Sequence, residues 1–286
     1  MSAPGAIGLV WRRVRDRFRA ASLDTPELDA RLLAQQAFGI DAMGLIRRER
    51  ETAPAEWVEA LDALAERRLA GEPVSRIIGE REFWGLKFQL NGATLDPRPE
   101  TEMLVAEAIR WIEHHPAPYI VDLGTGTGAI AISILDAIPA ARGIATDLAA
   151  EALTAARHNA ERHQVAGRLS FRQGPWWQAV PHTELFDLIL SNPPYIASGV
   201  IPTLQPEVRL FDPELALDGG FDGLEPYRAI AAQAVRRLKP GGAVVLEIGA
   251  NQGDPVARIM ARAGFSRVEV QKDLAGLDRV VLASHS

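Results

Sequence analysis

The chain has 286 residues, 47% of them apolar and 24% charged, an ordinary globular composition with length for one or two cored domains. Its net charge of −6 argues against life on duplex nucleic acid, which demands a basic footprint. It contains no cysteine, so disulfides, a thiol nucleophile and thiolate metal sites are excluded.

The first stretch, MSAPGAIGLVWRRVRDRFRA, carries its charges after its apolar part, the reverse of a signal peptide. No apolar run of about 18 residues follows, so a soluble, cytoplasmic protein that spans no membrane is expected. Thr25-Pro26 reads as a helix cap followed by proline at the first helical position, and Gly39 as the stop after ELDARLLAQQAF. Trp57, Leu61 and Leu64 fall on one face of a further helix. Residues 1–72 are therefore expected to form a helical domain. The segment SRIIGEREFWGLKFQLNGATL alternates loosely and carries Gly85 and the turn pair Asn91-Gly92. It reads as a β-hairpin, within a linker over residues 73–97.

From Pro99 the grammar changes. A helix bearing Leu104, Val105, Ala108, Ile109 and Ile112 leads to the apolar strand YIVDLG. The chain then alternates helix AIAISILDAI, strand RGIATD, helix AAEALTAARHNAERH, strand LSFRQG and strand FDLILS. Helix YRAIAAQAVRRL, the turn Lys239-Pro240-Gly241-Gly242, strand GAVVLEIG and helix DPVARIMARAG follow, and RVEVQKD and DRVVLAS close the chain as a hairpin. Residues 98–286 thus read as an α/β domain with a doubly wound, mostly parallel, Rossmann-like sheet. His114 and His115 read as solvated residues near a helix end. The six histidines show no metal-ligand spacing, so no metal is expected.

Gly124, Gly126 and Gly128 lie in VDLGTGTGAIAI, between a strand and a helix. Glycines there admit positive φ and let a ligand approach bare backbone. No Gly-Lys-Ser/Thr follows, which excludes a triphosphate loop. Asp147 ends the next strand, roughly 20 residues on, where a carboxylate can accept the ribose hydroxyls of an adenosine cofactor. The loop alone admits NAD, through a formal dinucleotide fingerprint, as well as S-adenosylmethionine. An NAD-dependent oxidoreductase leaves the next feature without a purpose.

That feature is Asn192-Pro193-Pro194-Tyr195, directly after FDLILS. A planar amide or exocyclic base amine is a poor nucleophile, and its pKa is too high for a general base to help before attack. What helps is to accept hydrogen bonds from both N–H groups and aim the lone pair. The Asn192 side-chain oxygen and the Pro193 carbonyl can do so, with prolines fixing the carbonyl and Tyr195 offering a flat face. Asn192 and Pro193 are therefore the expected catalytic residues, and Asn192 to Tyr195 the expected acceptor site.

The chain resembles the release-factor glutamine N5-methyltransferases. The resemblance rests on DPRPETE at 96–102, GEPVSRIIGEREFWGLKF at 71–88, PELALDGGFDGLEPYRAI at 213–230, KDLAGLDRVV at 272–281 and LDTPELDARLLAQQAFG at 23–39, besides the glycine loop and Asn-Pro-Pro-Tyr. Asp96 and Arg76 depart mildly from the family pattern. The resemblance implies a class I S-adenosylmethionine-dependent methyltransferase fold. It also implies methyl transfer to the side-chain amide nitrogen of the Gly-Gly-Gln glutamine of peptide chain release factors. Gly124, Thr125, Gly126, Thr127 and Gly128 would form the cofactor loop, Asp147 would hold the ribose, and Trp176 or its neighbour Trp177 would lie near the adenine. Asn192 would touch both cofactor and glutamine, and Pro193, Pro194 and Tyr195 would line the acceptor pocket. Arg98 and Phe83 would help close it, whereas Glu100 and Glu102 read as helix-start carboxylates rather than an acid–base pair. The helical domain would grip the release factor. A monomer is expected, and nucleic acid is not the expected substrate. The rival reading is an amino-methyltransferase acting on adenine or guanine of nucleic acid, which shares the loop, the acid and Asn-Pro-Pro-Tyr.

Overall fold

The computed structural model describes residues 5–285, and the chain divides into two compact units, one ending at Gly79 and one beginning at Glu80. The first unit is helical: α1 (Ile7–Ala20), α2 (Pro26–Phe38), α3 (Ala42–Arg47), α4 (Ala55–Leu69) and the single turn α5 (Val74–Ile78). Pro26 opens α2 with its φ already helical, and Gly39, at φ 62°, ends it in the left-handed region. The apolar stripes of α1, α2 and α4 meet in a core that includes Val14, Phe18, Leu33 and Leu61. Within that core the Arg68 guanidinium donates to the Asp29 carboxylate at 2.7 Å, both side chains being almost fully buried. The Thr25 hydroxyl donates to the other Asp29 oxygen at 2.7 Å. Ser75 to Ile78, expected in the hairpin, are helical instead: Pro73 fixes the entry and Gly79, at φ 76°, caps the exit, which suits one turn of helix better than a strand.

The second unit opens with the hairpin β1 (Glu80–Phe83) and β2 (Leu86–Gln89). Its turn lies at Trp84-Gly85, both at positive φ, as a two-residue hairpin requires, and Asn91-Gly92 follow the second strand. After α6 (Glu102–Ile112) come β3 (Tyr119–Leu123), α7 (Ala129–Ala137), β4 (Arg142–Asp147), α8 (Ala150–Arg162), β5 (Leu169–Gln173) and β6 (Phe186–Ser191). The short α9 (Pro206–Phe211), α10 (Glu225–Arg237), β7 (Leu238–Glu247), α11 (Gly253–Ala263), β8 (Arg267–Lys272) and β9 (Asp278–Ser284) complete it. The sheet runs β5-β4-β3-β6-β7-β9-β8. Its first five strands are parallel, and β9 is antiparallel to both neighbours. This is the expected doubly wound, mostly parallel sheet with a closing hairpin.

Successive residues point to opposite faces. Ile120, Leu188 and Leu190 join a core with α6, α7 and the hairpin's Phe83 and Phe88. Val121 and Ile189 join another with α10 and α11. Lys239 to Gly242, expected as a turn before the strand, lie inside β7 as an irregularity: Leu238 pairs with Phe186, and the ladder resumes with Ala243 opposite Leu188. Gly241, at φ 79°, lets the strand bulge there without breaking. Strand order reverses between β3 and β6, so the loops leaving these two strands flank the crevice where ligands of such sheets bind. Among the described residues no helix is long and apolar enough to cross a membrane.

Removing Asp29 leaves the Arg68 charge buried without its carboxylate. Asp29→Ala is expected to destabilise the helical unit by about 3–5 kcal/mol. Amide hydrogen exchange would show this as lost protection in α2 and α4, with β3 and β6 unaffected. Unchanged protection in α2 would contradict it.

Candidate active site

Strand β6 ends at Ser191, whose hydroxyl donates to the Leu123 carbonyl of β3 at 2.5 Å. Asn192 follows, and two prolines then stop the ladder because neither has an N–H to give. The segment that they start is held by backbone from a distant loop. Ile196 donates to the Leu217 carbonyl at 3.0 Å and accepts from Gly219 at 2.8 Å. From behind, Gln252 uses all of its amide: Nε2 donates to the carbonyls of Tyr195 at 3.0 Å and Gly223 at 3.2 Å, while Oε1 accepts from Gly249 N at 3.0 Å and the Tyr227 hydroxyl at 3.4 Å. Gly223 has φ 73°, and a Cβ there would run into the Tyr195 carbonyl. Only glycine permits so close an approach of backbone to backbone.

Beside Asn192 lies a cavity of about 410 Å³, within the range of small-molecule sites. Of the residues that the sequence singled out, Gly124, Gly126, Asp147, Trp176, Asn192 and Pro194 share its wall. Gly124 and Gly126 have φ of 77° and 56°, and a Cβ on Gly126 would meet no protein atom within 4 Å, so the loop presents bare backbone to open space. Trp176 stands at φ 45°, a conformation that costs an L-residue energy. Trp177 is buried instead, and its indole N–H donates to the Ile230 carbonyl at 2.9 Å.

The other expected residues lie behind this wall. Thr125 is buried, and its hydroxyl donates to Asp122 at 2.6 Å. The Thr127 carbonyl accepts from Asn159 at 2.9 Å, and the same Asn159 pairs with both backbone groups of Gln89, so it ties the hairpin to the glycine loop. Gly128 is the residue before α7. Pro193 is buried. The Tyr195 ring packs against the α10–α11 core, and burial pushes its phenol up to about 12. Phe83 lies in the core beneath the hairpin. Arg98 pairs with Asp212 at 2.7 Å, fastening the segment before α6 to the excursion between β6 and α10. Glu100 is exposed, and Glu102 accepts from the Trp84 N–H at 2.8 Å.

Asp147 ends β4 and accepts one backbone N–H on each oxygen, from Gly126 at 2.8 Å and from Ala149 at 2.9 Å. Burial pushes its carboxyl up, against the pull of those donors. The carboxylate still has acceptor capacity for a ligand hydroxyl. The wall therefore fits an adenosine group, with a carboxylate for the ribose, an indole beside it and bare loop backbone.

Sequence reasoning missed Gln252, Thr101 and Asp122. Thr101 accepts from the Asn192 side-chain Nδ2 at 3.2 Å, across a separation in sequence that no local pattern reveals. Asp122 is fully buried in β3, and its Oδ1 has no hydrogen-bond partner among the described residues. Burial pushes its carboxyl from 3.8 up to about 7. Because the folded value lies above the unfolded one, the stability tied to this group is complete below pH 3.8 and is lost as pH rises through about 7. The ligand-free protein should thus lose urea resistance across that window, and Asp122→Asn should remove part of the loss. Parallel pH profiles for the two proteins would contradict this.

A sequence profile of the PrmC N-terminal domain matches residues 10–79, and one of the methyltransferase small domain matches residues 101–204. The release factor glutamine methyltransferase of Cereibacter sphaeroides is 48% identical over 93% of this chain and 94% of that protein. That of Caulobacter vibrioides is 42% identical over 95% and 94%. Among solved structures, the catalytic domain of human METTL16 in complex with an RNA hairpin superposes with a TM-score of 0.60 over 74% of this chain and 81% of that one, at 16% identity. At that identity the likeness is one of fold alone, the class I methyltransferase fold. The relatives match this chain nearly end to end, through the helical unit as well as the sheet, and the chain belongs to the release factor glutamine methyltransferases.

Proposed function

We propose that this protein transfers a methyl group from S-adenosylmethionine to the side-chain amide nitrogen of the glutamine in the Gly-Gly-Gln motif of peptide chain release factors. One observation carries the reading. The Asn192 carboxamide, at the end of β6 and tied inward through Nδ2 to Thr101, shares a cavity wall with Asp147, Trp176 and the glycine loop. This arrangement would bring a donor site and an amide holder to one crevice, and the family supplies the substrate class. The helical unit would grip the release factor, acting as a monomer in the cytoplasm, where translation runs.

The protein's part is positional. When bound, S-adenosylmethionine supplies an electrophilic methyl group on a sulfonium. Asp147 would accept the ribose hydroxyls, Trp176 would lie against the adenine, and the backbone of Gly124 to Gly128 would admit the rest. Because Nδ2 of Asn192 is engaged by Thr101, Oδ1 is the atom left to accept from the substrate amide. The Pro193 carbonyl, held by its proline ring, would accept the second N–H. With both N–H groups held, the nitrogen lone pair turns out of conjugation and toward the cavity. Pro194, on the cavity wall, would bound the acceptor side, with the Tyr195 ring backing it from the core. No general base is required before attack, since the amide nitrogen cannot be deprotonated near neutral pH; once the nitrogen carries the methyl group it is cationic and acidic, and one of its two protons is released to water.

Methyl transfer from labelled donor is expected to a purified release factor, and not to the same factor with its motif glutamine changed to alanine, nor to DNA or ribosomal RNA. Label on nucleic acid alone would replace this reading with the base-methylating one. Asn192→Ala should lower turnover by about 10²-fold or more and leave the donor KM within a few-fold, since its interaction acts mainly in the transition state. Asp147→Ala should instead raise the donor KM by about tenfold or more, the loss of hydrogen bonds to a charged group. The reverse pattern in steady-state kinetics would contradict both roles.

A further inference from the structure

Strand β7 is apolar from Ala243 to Leu246 and then ends on Glu247, which is 2% exposed. A carboxylate at that depth is expensive unless it is fully hydrogen-bonded, yet its Oε2 has no partner among the described residues. The Thr101 hydroxyl and the Asn192 amide both face this carboxyl and favour its charged form. Thr101 in turn accepts from Asn192 Nδ2 at 3.2 Å. The three side chains come from α6's entry, the end of β6 and the end of β7, and they meet in one cluster, with Thr101 and Asn192 both facing the Glu247 carboxyl.

The direction of the hydrogens in this cluster follows from chemistry. An ionised carboxylate can only accept, so of the two groups that face it the Asn192 amide presents its NH2 and the Thr101 hydroxyl turns its hydrogen that way. Its lone pairs are then what it offers to Asn192. A lone pair can be met only by the NH2 end of a carboxamide, so Nδ2 points inward and Oδ1 points to the cavity. Without a carboxylate, the hydroxyl could donate to Oδ1 equally well and the amide could turn over. We propose that Glu247 is a positioning residue for the methyl transfer, fixing, directly and through Thr101, which end of the Asn192 amide meets the substrate. The assignment rests on the role proposed above for Asn192 Oδ1.

Burial pushes the Glu247 carboxyl up to about 7, so the inward acceptor is lost as pH falls through neutrality. The other groups facing it do not share that titration. Arg279, raised further by its carboxylate partner, stays charged, and Tyr195 and Tyr227 are pushed up by burial and stay neutral. Glu100 acts on it only as a more distant like charge.

Two readouts test the proposal. In 15N-labelled protein the Asn192 side-chain amide signals, assigned by their loss in Asn192→Ser, should titrate with a midpoint near 7 and cease to titrate in Glu247→Gln. This needs no substrate, so it stands even if a release factor proves not to be methylated, a result that would sink the functional reading alone. In kinetics, wild-type kcat should fall below pH 7. In Glu247→Gln it should be lower by about tenfold or more and flat with pH, with the donor KM within about twofold, the mark of lost alignment rather than lost binding. Thr101→Val should lower kcat in the same way but by no more than Glu247→Gln, Thr101→Ser should restore most of that loss, and the double variant Thr101→Val/Glu247→Gln should be no worse than the worse single one. Wild-type amide signals that do not titrate, a pH-independent wild-type kcat, additive losses, or a donor KM that rises with the loss of kcat would each overturn the proposal.

Discussion

The site depends on where strand β6 stops. Ser191 still belongs to the sheet, paired to Leu246 and bonded to the Leu123 carbonyl. The next residue must leave it with its side chain free to work and its backbone unable to drift. Two prolines satisfy that constraint by rejecting the ladder, but they also remove donors that would otherwise secure the loop. The surrounding structure restores the hold by other means. Gln252 spends its entire carboxamide on it, and glycines at 219 and 223 bring a distant backbone against Tyr195 and Pro194. A loop that looks irregular is thus fixed at several points before any ligand arrives, which is what preorganised catalysis requires.

The carboxyl ends of β3, β4 and β7 each carry a buried or half-buried acid: Asp122, Asp147 and Glu247. Burial raises all three, and such groups cost stability near neutral pH. They do different work. Asp147 accepts loop N–H groups and faces the cavity. Asp122 receives the Thr125 hydroxyl and so braces the glycine loop from beneath. Glu247 stands behind the Asn-Pro-Pro-Tyr segment. A sheet edge otherwise made of apolar strands spends its few polar positions where loops have to be aimed.

Much of this was legible in the sequence because the signals were local. FDLILS is β6 residue for residue, and the strand–glycine–helix order placed the loop before α7. Asp147 ends β4 and faces the cavity, as its position after the glycine loop led one to expect. The misreadings were also local: a single helical turn between Pro73 and Gly79 looked like strand, and Lys239 to Gly242 looked like a turn although the sheet absorbs them as a bulge. What stayed hidden was nonlocal. Gln252, Thr101 and Glu247 matter through partners far along the chain, and nothing in their neighbouring residues marks them. Trp176 and Trp177 could not be told apart until the backbone turned one into the cavity and the other into the core.

The central claim is that one carboxamide holds another. A crystal structure of the protein with S-adenosylhomocysteine and a peptide carrying Gly-Gly-Gln would test it directly. The glutamine amide nitrogen is expected within hydrogen-bonding distance of Asn192 Oδ1 and the Pro193 carbonyl, with Asn192 Nδ2 still turned to Thr101. A glutamine seated elsewhere, or an Asn192 amide turned the other way, would contradict it.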